Sequence, residues 1–366
     1  MNFSPLRSRL AISCAFLFLF GAGCFGSSAP VATGPDGGVW KSVDGGQTWA
    51  QKRAFVSGSK VTAGAGNIGV VAMAFDPQDR NAVYLGTQGN GLVFTLDGGE
   101  SWQQSVASDP TKTALTTGRV NAVAVDPKNK CTVYAASANK IYKTETCGRD
   151  WAQVFFDPRT DKVFTQIAVD WFNPTILFAG TSDGDIFRSA DSGVSWQTSK
   201  RVDGVAITSI AIDRHDSRVL YVGTQGEGIM KSTDSGTTWT QIKKEFGDEY
   251  QDARRVIQVV IDPVDSHTIY EISKYGIIKS VDAGATWSAI PLTSPPGSVK
   301  ISSMAVDAKN TKHLVYTGTS VLQLSADGGA TWVPKKLPST QIGSSVLFDP
   351  MDSNVIYLAT AAPVTN

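Results

Sequence analysis

Six aspartates stand in the same short context, and a carboxylate that recurs in register is the first place to look for acid–base chemistry. Asp44, Asp97, Asp191, Asp234, Asp282 and Asp327 are each the third residue of an eight-residue box, from "SVDGGQTW" (42–49) to "SADGGATW" (325–332). A glycosidase needs two carboxylates at a set separation on one face. Six equivalent copies would have to do the same work at six places. A structural role accounts for every position instead. The Asp accepts N–H groups of its own turn, and the fifth-position glycine supplies the positive φ that a tight turn needs. The closing tryptophan starts a strand and buries its ring between neighbours. These aspartates are expected to be frame, and no catalytic residue is nominated.

The elements that position them are legible upstream. In "VVAMAFDPQDRNAVYLGTQGNGLVFT" (70–95) a strand A, a turn at "DP", a strand B, a glycine turn and a strand C follow in order. Short β-branched runs bounded by Gly, Asn and Pro mark strands, so each box is the hairpin between C and D. A degenerate seventh copy, "TETCGRDW", lies at 144–151, and the seven boxes end in seven of the nine tryptophans. The first box has C and D with no A or B before it, and residues 344–359 supply A and B with no C or D after. Joined, they complete one sheet. Self-similarity at this period means a repeat architecture. The fold expected is all-β: a seven-bladed β-propeller of four-stranded antiparallel blades, closed by pairing N- and C-terminal strands in one blade. Lys+Arg and Asp+Glu balance at 33 each, so there is no basic footprint for nucleic acid.

Other residues with chemical potential are weighed on that ring. His215, His267 and His313 fall in A–B turns of successive blades, too far apart to converge on a metal, and "TSDGDIF" (181–187) reads as a glycine turn rather than a calcium loop. No metal and no cofactor is expected. In the degenerate box Thr146 replaces the Asp and Cys147 follows; Cys131 starts strand B of the same blade. Antiparallel B and C bring the two cysteines near one another, and a Cys131–Cys147 disulfide is expected to substitute for the missing Asp contact. The D–A connections and B–C turns share the other face, where a partner could dock. There "KKEFGDEYQDARR" (243–255) carries Phe246 and Tyr250 among charges, and Arg119, Arg255 and Lys300 each lie seven residues before their blade's A-strand Asp. The five residues form the candidate binding face for a protein or polysaccharide, with the three cations around one channel rim.

The box S/T-x-D-x-G-x-T/S-W resembles the Asp-box, or BNR repeat. The longer repeat unit resembles propellers of sortilin-like receptors, xyloglucan-cleaving glycoside hydrolases and photosystem II assembly factors, over nearly all of residues 37–360. The resemblance implies the fold and leaves function open. The Arg-Ile-Pro stretch of sialidases has no counterpart here. Xyloglucan-cleaving relatives place their carboxylates between two propellers, and this sequence holds one. At the N-terminus, Arg7 and Arg9 precede the apolar run "LAISCAFLFLF" (10–20) and then "GAGC" (21–24), the pattern of an export signal. Small residues before Cys24 resemble a bacterial lipobox, which implies lipidation at Cys24; Gly21 stands where that motif usually has leucine, which leaves ordinary cleavage as the alternative. The expected organisation is a signal peptide at 1–23, a tether at 24–36 and one propeller at 37–366. The reading is an exported lipoprotein of the periplasm or cell surface, on the outer membrane in a diderm, that binds a partner without catalysis. A xyloglucanase-type hydrolase and a photosystem II assembly factor are the alternatives.

Overall fold

The computed structural model describes Met1 and residues 35–107 and 112–362. The chain divides into Met1–Gly34 and Pro35–Asn366, and every strand among the described residues belongs to the second unit. Cys24, the expected signal peptide and all but the end of the expected tether lie outside the described residues. No helix among the described residues is long and apolar enough to cross a membrane.

Seven sheets form seven blades. Blade 1 is built from both ends of the chain, in the order Ala50–Lys52, Gly38–Ser42, Asp352–Ala361, Ile342–Asp349. Gly38 pairs with Thr360 and Ser42 with Ile356 in antiparallel register. Blades 2 to 7 start from strands Val70–Asp76, Ala122–Val125, Phe164–Val169, Ile207–Ile212, Val256–Ile261 and Ile301–Val306. These A strands touch one another in succession around the ring, and Ile342–Asp349 touches Val70–Asp76, so the circle is closed.

Burial follows the strand order. Strand B of blade 5, Leu220–Thr224, is buried at all five residues, because neighbouring blades cover both of its faces. Such a strand reads as a continuous apolar run rather than an alternating one. Outer strands such as Gln197–Arg201 are polar and open. The apolar side chains sort into seven clusters, each joining two adjacent blades, with Ile356 and Leu358 of blade 1 packed on Val315 and Leu322 of blade 7. The core is therefore a ring of seven interfaces. Polar side chains of the A strands stitch the inner wall: Asn121 Nδ2 donates to Phe164 O at 2.9 Å, Thr165 Oγ1 to Ile207 O at 2.6 Å, and Met304 N to Gln258 Oε1 at 2.8 Å.

Blade 2 departs from the expected four strands. A hairpin, Phe55–Ser57 and Lys60–Thr62, adds to its outer edge, with Phe55–Ser57 parallel to Trp102–Gln104. The alternation of "FVSGSKVT" around Gly58, at φ 59°, is the local reason.

Candidate functional site

The box hairpins lie at one end of the blades, with the A–B turns; the D–A connections and B–C turns lie at the other. In each intact box the first residue and the Asp form one hydrogen-bonded unit. In blade 5, Ser232 Oγ donates to Asp234 Oδ1 at 2.8 Å and accepts from Gly236 N at 2.9 Å. Thr238 gives its N–H to Oδ1 at 2.8 Å and its hydroxyl to Oδ2 at 2.6 Å. The same four contacts recur around Asp44, Asp97, Asp191, Asp282 and Asp327. The role of the first residue as the hub of the turn was not anticipated from sequence. Neither was the fourth, which adopts positive φ even where it is not glycine: Ser192 at 59°, Ser235 at 56°, Ala283 at 58°. That conformation turns its carbonyl toward the preceding blade. Tyr357 and Lys41 of blade 1 both donate to Gly98 O at 2.8 Å, and Tyr221 and Lys231 of blade 5 donate to Ala283 O at 3.1 and 2.8 Å. The boxes hold blade to blade.

These bonds set the charge state. The Thr238 hydroxyl and N–H hold the Asp234 carboxyl at about 2, and Asp44, Asp191, Asp282 and Asp327 lie at about 2 for the same reason. A carboxylate whose folded pKa is depressed contributes stability above its unfolded value, near 3.9, and that contribution is lost as pH falls toward 2. Asp234→Ala is accordingly expected to lower the melting temperature by a few degrees at pH 7 and to narrow the gap to the native protein at pH 2. Thermal melts at both pH values check this. A gap that persists unchanged at pH 2 would assign the loss to something other than the carboxylate.

In the degenerate box, Cys131 and Cys147 are disulfide-bonded. The turn does not lack an acceptor, however. Thr146 Oγ1 takes the N–H of Asp150 at 2.9 Å, and Thr144 Oγ1 accepts from Gly148 N at 3.3 Å. The hydroxyl stands in for one carboxylate oxygen, so the disulfide adds to a formed turn rather than substituting for a missing one.

On the opposite face, the loop 243–255 folds into two short 3-10 turns, Lys244–Phe246 and Gln251–Arg254, separated by Gly247 at φ 61°. This corrects one expectation. Phe246 is 1% exposed, packed edge-on against Trp287 with ring centroids 5.4 Å apart. It anchors the loop to blade 6 and belongs to the core. Tyr250 stays half-buried and meets Tyr275, from the B–C turn of blade 6, edge-to-face at 5.0 Å. Lys274 bridges to Asp252 at 3.1 Å beside the pair. Tyr275 is the aromatic that sequence reasoning missed, since it lies outside the charged stretch. Arg119, Arg255 and Lys300 are all exposed at the start of an A strand. The ring brings Arg255 and Lys300 onto neighbouring blades 6 and 7 and leaves Arg119 apart on blade 3, bonded to Asn121 Oδ1 at 2.8 Å.

A further charged group on this face had no counterpart in the sequence reading. Asp185 is fully buried, and Arg201 grips its two oxygens at 2.5 and 3.2 Å. Arg159 reaches Asp185 at 2.7 Å, Asp157 at 2.5 Å and Asp183 at 3.3 Å. Arg159 holds the Asp157 carboxyl below the usual range, and the two arginines overcome desolvation to do the same at Asp185. The "SDGD" turn is thus an arginine-clamped corner. Each histidine faces an aspartate of its own turn: His215 with Asp213 at 3.6 Å, His267 with Asp265 at 3.4 Å and His313 with Asp307 at 3.3 Å. Among the described residues no group of three His, Cys, Asp or Glu side chains could hold a metal ion.

Fold and boxes define a seven-bladed β-propeller that resembles xyloglucanases of glycoside hydrolase family 74 and YCF48. No family model matches the sequence. Among curated proteins, the chain is 26% identical over 204 residues to the oligoxyloglucan-reducing end-specific xyloglucanase of Emericella nidulans, covering 44% of this chain and 24% of that enzyme. A xyloglucanase of Acetivibrio thermocellus is 32% identical over 165 residues, 35% of this chain and 19% of that protein. The stretches matched are thus a quarter or less of those enzymes. Among solved structures, the family 74 xyloglucanase of Xanthomonas campestris superposes with a TM-score of 0.65 at 19% identity, over 80% of this chain and 51% of that one. YCF48 bound to a D1 peptide gives a TM-score of 0.60 at 19% identity, over 80% of this chain and 93% of that one. YCF48 of Cyanidioschyzon merolae gives 0.60 at 15%, over 80% and 95%.

Proposed function

We propose that this chain is an exported, lipid-anchored binding propeller that holds a protein or polysaccharide on the face of its D–A and B–C loops, without catalysis. The observation that carries the reading is the Tyr250–Tyr275 pair, half-buried at 5.0 Å and flanked by Lys274, Asp252 and the exposed Arg255. Aromatic anchors inside a charged rim are the composition of a binding surface, and loops on a rigid frame are where binding residues collect. Arg255 and Lys300 on adjacent blades favour an anionic group on the ligand. Three of this face's carboxylates are held in the wrong state for a general acid. A general acid is kept protonated by its surroundings, whereas Asp157, Asp185 and Glu227 are held ionised by Arg159, Arg201 and Lys243.

The likeness to xyloglucanases favours one second reading, a hydrolase whose polysaccharide lies on the same face. A Tyr250→Ala/Tyr275→Ala variant separates these readings. It is expected to melt within a few degrees of the native protein and to lose about tenfold in retention on xyloglucan, or in recovery of its protein partner from detergent-solubilised membranes. Retention and recovery both unchanged would move the site off this face. Release of reducing ends from xyloglucan by the purified native protein would replace the binding reading with the hydrolytic one.

A further inference from the structure

The seam between blades 5 and 6 holds a carboxyl group that no contact accounts for. Glu271 is the middle residue of strand B of blade 6, Ile269–Ser273, and its cross-strand partners are Val259 and Ile278. Directly opposed residues of neighbouring strands share a face of the sheet. Val259 and Ile278 both belong to the apolar cluster between the two blades, so the Glu271 side chain points into that cluster. The residue is 0% exposed, and both carboxyl oxygens are buried without a hydrogen-bond partner.

Toward the loop face the same cluster is completed by the connection 243–255. Phe246 and Ala253 are members of it, and Tyr250 and Tyr275 pack against it. The turn Gln251–Arg254 rests on the strand that carries Glu271. The end of the loop straddles the seam: Gly228 N of blade 5 donates to Arg254 O at 3.0 Å, and Lys274 N of blade 6 to Arg255 O at 3.4 Å. The charged groups here are engaged away from Glu271. Lys274 bridges to Asp252 at 3.1 Å. Lys243 bridges to Glu227 at 2.7 Å and, together with Arg254, holds the Glu227 carboxyl below the usual range. Arg254 Nε is itself buried without a hydrogen-bond partner. Tyr221, the titratable side chain that blade 5 adds to the cluster, donates its hydroxyl to Ala283 O at 3.1 Å. On the strand of Glu271 the Ser273 hydroxyl is also buried and unpartnered.

We propose that Glu271 makes closure of the loop 243–255 depend on pH: the loop stays shut while the carboxyl carries its proton and is released as the carboxyl ionises. A carboxylate without a partner in an apolar site bears a large desolvation cost, so the shut form keeps Glu271 neutral. Burial accordingly holds its pKa well above the usual carboxylate range. When Phe246 and Ala253 lift away, water enters the cluster and the carboxyl returns toward its ordinary value of about 4.3. Opening therefore releases a proton. The neutral carboxyl leaves the shut form at full strength below the ordinary value, and that advantage is lost as pH rises toward the buried one. Between the two values each pH unit favours the open form by up to about tenfold. The consequence rests on the loop-face reading, because Tyr250 rides on this loop and leaves Tyr275 when it opens.

Hydrogen exchange of the intact protein, read by mass spectrometry from pH 5 to pH 8 with no ligand added, tests the coupling. With intrinsic exchange rates divided out, protection of peptides within 243–255 is expected to fall about tenfold or more over that range. The outer hairpin at 55–62, which opens without disturbing this seam, should show no such fall. Glu271→Gln keeps the shape and removes the titration, and it should hold the loop's protection constant with pH. Glu271→Leu should do the same. A native loop whose corrected protection does not change with pH, or a fall that persists in Glu271→Gln, overturns the proposal. Neither result touches retention by the Tyr250–Tyr275 pair, so the two readings fail separately.

Discussion

Truncation after Pro350 is expected to abolish cooperative folding. The lost strand, Asp352–Ala361, pairs with Ile342–Asp349 on one side and Gly38–Ser42 on the other. It buries Val355, Ile356, Tyr357 and Leu358, each 6% exposed or less. At about 1.5–3 kcal/mol for each large apolar side chain, those four alone amount to roughly 6–12 kcal/mol as an upper estimate. Domain stabilities of about 5–15 kcal/mol leave little after such a loss. The effect exceeds one blade, because Tyr357 also bonds the box of blade 2. Circular dichroism on heating reads the outcome. A truncated chain that still melts cooperatively within a few degrees of the full one would refute the account of closure.

The second large effect runs the other way. Glu271→Leu should raise stability, and more so at high pH than at low. Glu271 sits in strand B of blade 6, opposite Val259 and Ile278, on the face packed toward blade 5. Blades 1, 2 and 5 have Leu358, Leu85 and Val222 at this place. The side chain is fully buried, and neither carboxyl oxygen has a hydrogen-bond partner. Desolvation pushes its pKa well above the usual range, and the nearby Ser273 hydroxyl opposes this only weakly. An unpartnered buried polar group costs about 1–3 kcal/mol before any charge is considered. The sign with pH follows from the raised folded value. The folded state binds the proton more tightly than the unfolded one, so stability is greatest below about 4.3. It declines as pH rises toward the folded pKa. Denaturant melts of native and variant protein at pH 5 and pH 8 should therefore show a gap that widens with pH. A gap of constant size would mean that the carboxyl is not held in an apolar site.

The contrast between these residues explains what the sequence could and could not disclose. Blade number and closure were readable because the box recurs with the same hydrogen-bonding residues, and repetition makes local chemistry count several times over. Phe246 was misjudged for the opposite reason. It occurs once, in a charged loop, and only the turn at Gly247 decides that its ring points inward. Tyr275 and the Arg159–Asp185–Arg201 corner depend on B–C and D–A loops meeting in space, and sequence spacing holds no trace of that meeting. Glu271 interrupts the apolar run of its strand B, and only the packing of blades on both faces shows that its carboxyl is buried without a partner. The extra hairpin at 55–62 did carry a signal, its alternation around Ser-Gly, but it interrupts the repeat and has no counterpart in the other blades.

The pairing of Gly38 with Thr360 spans 322 residues, and that distance bears on the order in which the molecule is made. Local blades need only contacts within some forty residues and can form while synthesis continues. The seam cannot, because its two halves leave the ribosome far apart in time. Contacts of such separation are slow to find by loop closure. Until then Gly38–Ser42 waits with one unpaired edge, and the apolar flanks of blades 2 and 7 that blade 1 will cover stay open to water. Intermediates of that kind associate with one another. The hazard in biogenesis is therefore concentrated at a single late step, and the yield of soluble protein should depend more on residues of the seam than on those of any other blade.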